Sequence, residues 1–455
     1  MDSIAAAKSG HLGLPLGAAE MGAVLFGQSM TFNPDDPQWV NRDRFVLSAG
    51  HGSMFLYSWL HLAGFDLSKD EVANFRQHHS MTPGHPEFPN SEHVTPGIEA
   101  TTGPLGAGVS NCAGLAAASK MSAAIFNTDD HTIFDNHIFC IVGDGCLQEG
   151  VSAEAACFSA HEKLDNLIVL YDANDVTLDK MAEFTQSEDV GARYEAYGWD
   201  VITLTDGHDL KAIYEAIEEA KANDNGKPTM IIAKTEIGRG IDEVAGTNAA
   251  HGEAGVAYVD EARKNLGLPA DKWHVSDDTY KFFADRKAAQ KSQYDAWQAT
   301  YKAWQSANPD QAKILQDGID GKTPSEAELL KAIPKTGFTP LLGEDMVERP
   351  PMQGDDDTAY GLFESFLEIC ELWGWIGPSR FFNAAFSRRS RASSSSSGAT
   401  TRSCPCASTR SSRARCPAPS TSTCAGAPSR SSSSRTSGAR STATCSSKSS
   451  GRPSL

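Results

Sequence analysis

Between residues 43 and 238 one pattern recurs five times: a short apolar run ends in turn residues, and helix-forming sequence separates it from the next. The runs are "DRFVLSAG", "HIFCIVGDG", "LIVLYDAN", "WDVITLTDG" and "PTMIIAKTEIG"; stretches such as "VSNCAGLAAASKMSAAIF", "SAEAACFSAHEKL" and "DLKAIYEAIEEAKAN" lie between them. Strands that are apolar on both faces and alternate with helices predict an α/β fold, a doubly wound parallel sheet with helices on both faces. In such a sheet ligands bind outside the carboxyl ends of the strands. That edge is where the chemistry is sought.

Two polar residues stand there. Asp144, in "GDGCLQEG", closes the second run and Asn174, in "YDAN", closes the third, 30 residues later. A strand–helix–strand unit of that length brings both ends to one edge. A carboxylate and an amide oxygen suit a hard cation such as Mg²⁺, which keeps water and phosphate oxygens as its other ligands at about 2.1 Å. The backbone carbonyl of Val176 could add a third protein oxygen, and Gly143 and Gly145 would let a diphosphate approach the main chain. By pattern alone the same residues also read as ordinary turn formers. A second element bears on the choice: "TTGPLGAGVSN", residues 101–111, places glycines before a small-residue helix whose free N–H groups favour a phosphate.

Four histidines follow a glycine or alanine in expected loops: His11 in "SGHLG", His51 in "AGHGS", His85 in "PGHPE" and His251 in "AAHGE". On one α/β scaffold they suggest a polar pocket for hydroxyls and phosphates. None has His-x-x-x-His spacing, which argues against zinc.

Charge and composition divide the chain further. Over 455 residues it carries 40 Lys+Arg and 58 Asp+Glu, a net charge of −18. Residues 387–455 hold 12 basic and no acidic residues, so the first 386 hold 28 basic against 58 acidic and carry −30. A general grip on nucleic acid is excluded for that part. Cys112, Cys140, Cys146, Cys157 and Cys370 have no paired spacing and read as reduced thiols of a cytoplasmic protein. No signal core or run of membrane length is evident.

The organisation expected is a ligand-binding domain over 1–254, a helical connector over 255–345, an unassigned stretch over 346–386, and a Ser/Arg-rich, disordered tail over 387–455. In the connector, Tyr294, Trp297, Tyr301 and Trp304 recur at helical spacing and read as a packing face. In the tail, 25 of 69 residues are serine and 11 arginine, too little apolar surface for a core. Such a stretch can be a regulatory or RNA-contacting tail, or a GC-rich gene read in the wrong frame. The scattered Cys404, Cys406, Cys416, Cys424 and Cys445, with no repeat, favour the second.

Taken in order, "SGHLGLPLGAAEM", "NRDRFVLSAGHGSMFLYSWLHLAGFDLS", "PGHPE", "TTGPLGAGVSN", "GDGCLQEG", "YDANDVTLD", "RYEAYGWDV" and the "HG" at 251–252 resemble the diphosphate-binding half of a transketolase, from about residue 2 to residue 335. "GDGCLQEG" distinguishes transketolases from other thiamine diphosphate enzymes. The resemblance implies Mg²⁺ ligands at Asp144, Asn174 and the Val176 carbonyl. It implies thiamine diphosphate contacts at His51, Gly103, Pro104, Leu105, Gly145, Asn174 and His251. It gives His11, His85 and His251 to the sugar substrate, with His11 and His251 also catalytic.

The implied activity is transfer of a two-carbon ketol unit from a ketose phosphate to an aldose phosphate, in the pentose phosphate pathway, by a cytoplasmic homodimer. "SGHLG" departs from the family in carrying Leu12 where most members have proline. The family usually has a further helix ahead of "MDSIAAAKSGH". No stretch after Leu341 resembles the pyrimidine-binding domain, which supplies the glutamate that activates the cofactor. The expectation is therefore a chain inactive alone, needing that domain in trans or restored in cis. The alternatives are one subunit of a split transketolase, or a non-catalytic thiamine diphosphate-binding module.

Overall fold

The computed structural model describes residues 1–90, 94–322 and 325. The expectations for 346–386 and for the tail at 387–455 lie outside the described residues, as do Cys370 and the far end of the connector. Five strands form one sheet: β1 (Arg44–Leu47), β2 (Ile138–Gly143), β3 (Leu167–Ala173), β4 (Asp200–Leu204) and β5 (Thr229–Lys234). Their order is β1-β2-β3-β5-β4 and every pairing is parallel. The central strands are the most apolar runs and are buried almost throughout. β4 is half-exposed because it forms an edge, which its sequence shows only in the polar Asp200 and Thr203.

The helices form two packed groups. Ala107–Phe126 packs on Gly150–His161, which packs on Val190–Tyr197; separately, Ala19–Val24 packs on Ser53–Ala63 and Leu210–Lys221. Asp209 caps the last of these by accepting the N–H groups of Lys211 and Ala212. Helix Ala107–Phe126 comes very close to the end of β1. A Cβ built on Gly108 would lie 2.5 Å from Ser48 Cα, a backbone atom that cannot swing aside. Gly108→Val is therefore expected to cost about 1–3 kcal/mol or more, the cost of an overpacked core. Urea unfolding of the two proteins would measure it, and equal midpoints would refute so tight an approach.

The connector helices pack back on this domain. Asp277–Ala307 starts at Ser276, which caps it through the Thr279 N–H, and Pro309–Ile319 follows. The aromatic stripe is a packing face. Trp39 meets Tyr294 and Trp297 with ring centroids 5.3 and 5.6 Å apart, Trp297 Nε1 donates to the Ile133 carbonyl at 3.0 Å, and Trp304 is fully buried against Phe126. Gln290, also fully buried, accepts the Phe32 N–H at 2.8 Å and donates to the Met30 carbonyl at 3.3 Å. Among the described residues no helix is long and apolar enough to cross a membrane. Cys112, Cys140 and Cys146 are buried free thiols and Cys157 is an exposed one.

Candidate cofactor and substrate site

β2 and β3 end side by side, with Gly143 in register with Asp172. The chain leaves β2 directly into the short helix Asp144–Gln148, and leaves β3 at Asn174. Asp144 and Asn174 thus share one sheet edge. Asp144 is 2% exposed; its Oδ1 accepts the Tyr171 hydroxyl at 2.7 Å, while its buried Oδ2 has no partner. Burial pushes its carboxyl up to about 6, with repulsion from Asp175 adding to the rise and the Tyr171 hydrogen bond opposing it. Asp172 is fully buried beside it. Burial, and after it the Asp144 charge, push that carboxyl up to about 7 against the hydrogen bonds it accepts from Thr235 and Asn174.

Asn174 is fixed at both ends of its amide. Its Nδ2 donates to Asp172 Oδ2 at 2.8 Å, and its Oδ1 accepts the Val176 N–H at 3.1 Å. Between them Asp175 takes a left-handed conformation, φ 61°, and Val176 then bridges to Met181. The donor set is a carboxylate atom without a partner, an amide oxygen and nearby main chain. These are hard oxygen donors, and the two buried acids repel one another, so the set fits a divalent cation. Among the described residues no group of three or more His, Cys, Asp or Glu could hold a metal by itself. A cation here would draw its remaining ligands from water or from a bound anion.

The anion cradle lies alongside. Gly106, left-handed at φ 79°, leads into helix Ala107–Phe126, whose N-terminus has no side-chain cap. Its first N–H groups and the helix dipole favour an anion. A Cβ on Gly145 would lie 3.0 Å from Leu105 Cδ1, so the 103–105 loop touches the turn after β2. A Cβ on Gly50 would lie 2.5 Å from Thr102 Oγ1, which brings His51's loop against the same segment. Gly143 faces open space, with nothing within 4 Å of a Cβ built there.

The structure gathers three histidines that are far apart in sequence. Ring centroids of His11 and His51 are 4.9 Å apart, of His11 and His251 5.1 Å, and of His51 and His251 4.9 Å. The loops carrying His11 and His251 are tied together by the Leu12 N–H donating to the Gly252 carbonyl at 3.2 Å and the Gly10 N–H to Glu253 Oε1 at 3.2 Å. His85 lies nearby, its ring edge 3.4 Å from where a Gly103 Cβ would stand. Burial lowers all four imidazoles, His11 to about 4 and His51 to about 3, with the neighbouring histidines adding to the shift in both. At neutral pH His11 and His51 are uncharged and can each donate or accept a hydrogen bond. His11 Nδ1 is buried and has no partner.

A pH dependence follows. An imidazole lowered on folding gives full stability above pH 6.5, and that stability is lost as pH falls towards the folded value. Asp144 and Asp172 oppose this, because their raised carboxyls take up protons earlier in the folded state. A comparison of wild type with His51→Asn cancels the opposing acids. Between pH 7 and pH 5 the wild type should lose about 2 kcal/mol more than the variant. Parallel pH series of urea melts would show it, and parallel curves would mean His51 is not held neutral.

Each site residue expected from the sequence falls at this edge or in the loops around it. Tyr171, Asp172 and Thr235 were not expected, nor was Arg76, which donates to Ser9 Oγ at 2.6 Å and adds positive charge beside His11 and His85. The one available signal was the carboxylate of Asp172 inside an apolar strand run.

A parallel sheet with a phosphate-favouring helix start and hard oxygen donors at one edge belongs to a cofactor-binding class, and comparison with known proteins identifies which. Residues 1–324 match the family described as transketolase, thiamine diphosphate binding domain. The chain is 53% identical over 342 residues to a transketolase of Dictyostelium discoideum, covering 75% of this chain and 51% of that one. It is 54% identical over 341 residues to a transketolase of Physarum polycephalum, with the same coverage. The fold is similar to a transketolase from Leishmania mexicana, with a TM-score of 0.68 and 38% identity over 74% of this chain and 49% of that one. A Pichia stipitis transketolase solved in complex with sedoheptulose 7-phosphate matches with a TM-score of 0.68 and 39% identity, over 73% of this chain and 48% of that one. The N-terminal part is thus a thiamine diphosphate-binding domain. The chain belongs to the transketolase family. It spans about half the length of the curated relatives it matches.

Proposed function

We propose that this chain provides the diphosphate- and Mg²⁺-binding half of a transketolase site, serving transfer of a two-carbon ketol unit from a ketose phosphate to an aldose phosphate in the pentose phosphate pathway. The observation that carries the reading is the buried Asp144 Oδ2, without a partner, beside the Asn174 amide and the uncapped start of helix Ala107–Phe126. Asp144, Asn174 and the Val176 carbonyl would hold Mg²⁺. His51, Gly103, Pro104, Leu105, Gly145, Asn174 and His251 would line the diphosphate side of thiamine diphosphate. When bound, the cofactor supplies the electron sink for carbon–carbon cleavage. His11, His85 and His251 would bind and orient the sugar hydroxyls. Uncharged at neutral pH, the His11 and His51 imidazoles would offer the bound molecules hydrogen bonds rather than charge.

The working unit in this reading is a cytoplasmic homodimer completed by a pyrimidine-binding domain, in trans or restored in cis. It agrees with the free thiols at Cys112, Cys140, Cys146 and Cys157. Purified chain with thiamine diphosphate and Mg²⁺ should show no ketol transfer from xylulose 5-phosphate. Addition of the C-terminal half of a relative should restore it. Acid–base help from the histidines gives factors of about 10² to 10⁴ and does not replace cofactor activation. Transfer by the chain alone would refute the division of labour, and cofactor binding with no transfer in any combination would favour a non-catalytic module.

A further inference from the structure

Near its end β3 carries two consecutive residues, Tyr171 and Asp172, whose side chains both reach the proposed cation ligands. Tyr171 donates to Asp144, and Asp172 accepts from Asn174. Asp172 is the unusual one. Its carboxylate is fully buried and accepts two hydrogen bonds: Oδ2 from Asn174 Nδ2 at 2.8 Å, and Oδ1 from the Thr235 hydroxyl at the end of β5. No basic side chain pairs with it among the described residues, although a buried carboxylate ordinarily demands such a partner. Retaining an acid there costs stability, which implies a use for it.

The use is legible in the Asn174 amide. An asparagine side chain can present oxygen or nitrogen in either direction, and the two orientations have nearly the same shape. Only one of them offers an acceptor to a cation. Asp172 Oδ2 takes the NH₂ end of the amide, which leaves Oδ1 turned the other way, where it accepts the Val176 N–H. We infer that Asp172 is the positioning residue of the metal site, fixing the Asn174 amide so that its oxygen rather than its nitrogen faces the cation. This rests on the Mg²⁺ reading proposed above. Thr235, just past the end of β5, plays a different part: it donates to the other oxygen of the carboxylate, not to Asn174.

The test is Mg²⁺ titration of thiamine diphosphate binding by the full chain, followed by calorimetry, with thermal melts of each apo protein. Asp172→Ala is expected to raise the half-saturating Mg²⁺ concentration about 10- to 100-fold, the usual effect of losing a residue that orients a metal ligand. Asp172→Asn retains an acceptor and Thr235→Val leaves the Asn174 contact intact, so each should stay within about threefold of wild type. In an Asn174→Ala background, Asp172→Ala should add nothing further, because its effect passes through the missing amide. If Asp172→Ala fails to melt cooperatively, Asp172→Ser, too short to reach the Asn174 amide, replaces it. Wild-type Mg²⁺ dependence with Asp172→Ala unchanged overturns this inference alone. So does a Thr235→Val effect equal to that of Asp172→Ala, or full additivity with Asn174→Ala. Cofactor binding that ignores Mg²⁺ in the wild type overturns the metal reading, and this inference with it.

Discussion

Asp144→Ala is expected to abolish Mg²⁺-dependent thiamine diphosphate binding, weakening it at least about 100-fold, or about 2.7 kcal/mol. Asp144 is the one charged group in the proposed ligand set, and a diphosphate brings further negative charge to the same place. Without a carboxylate, the amide and main-chain oxygens cannot offset dehydration of a small divalent cation. The fold should tolerate the change better than the site does. In the apo protein Asp144 is an acid whose burial has raised it to about 6 and whose Oδ2 lacks a partner. Asp144→Asn separates the two effects, since it can keep an acceptor for the Tyr171 hydroxyl while removing the charge. It should melt like the wild type and still fail to bind. Calorimetry showing wild-type affinity in either variant would sink the assignment.

Trp304→Ala should have the largest effect on stability, about 3–5 kcal/mol for truncating a fully buried tryptophan. The ring packs edge-on against Phe126 at 6.1 Å between centroids and stacks on Tyr301 at 5.6 Å, within a cluster that also contains Ile133, Phe134 and Leu315. This cluster is separate from the main core around the sheet. The loss should therefore appear first as early release of the connector helices, seen as a low-temperature transition in tryptophan fluorescence. Trp304→Phe retains a ring and removes an indole N–H that is buried without a partner, so it should cost far less. A Trp304→Ala protein within about 1 kcal/mol of wild type would mean the cluster contributes little.

What the sequence disclosed follows from which forces act locally. The strands β2, β3 and β5 were legible because burial on both faces leaves continuous apolar runs such as "HIFCIV" and "TMIIA". Asp144 and Asn174 were legible because strand ends and turn residues mark the ligand edge of a parallel sheet. The strand order was not, since β5 inserts between β3 and β4 and nothing within either segment specifies its neighbour. The loop histidines suggested a polar pocket but not which rings would meet: His11, His51 and His251 come together because the loop after β1, the N-terminal loop and the loop after β5 converge. Tyr171 and Asp172 reach partners 27 and 63 residues away, at Asp144 and Thr235, so their roles depend on the finished sheet. The single turn of π-type winding at Leu25–Ser29, five residues long, also left no pattern in the sequence.

Gly143 shows how cleanly the demands of folding and of ligand binding part company at this edge. Its φ of −107° and ψ of 176° are extended values open to any residue, and a Cβ there would meet nothing within 4 Å. Gly108 is different, because the fold itself requires its missing side chain. Among the described residues nothing asks for glycine at 143. An alanine there would act as a gauge of how near a bound molecule comes, read against described neighbours that do not notice the change.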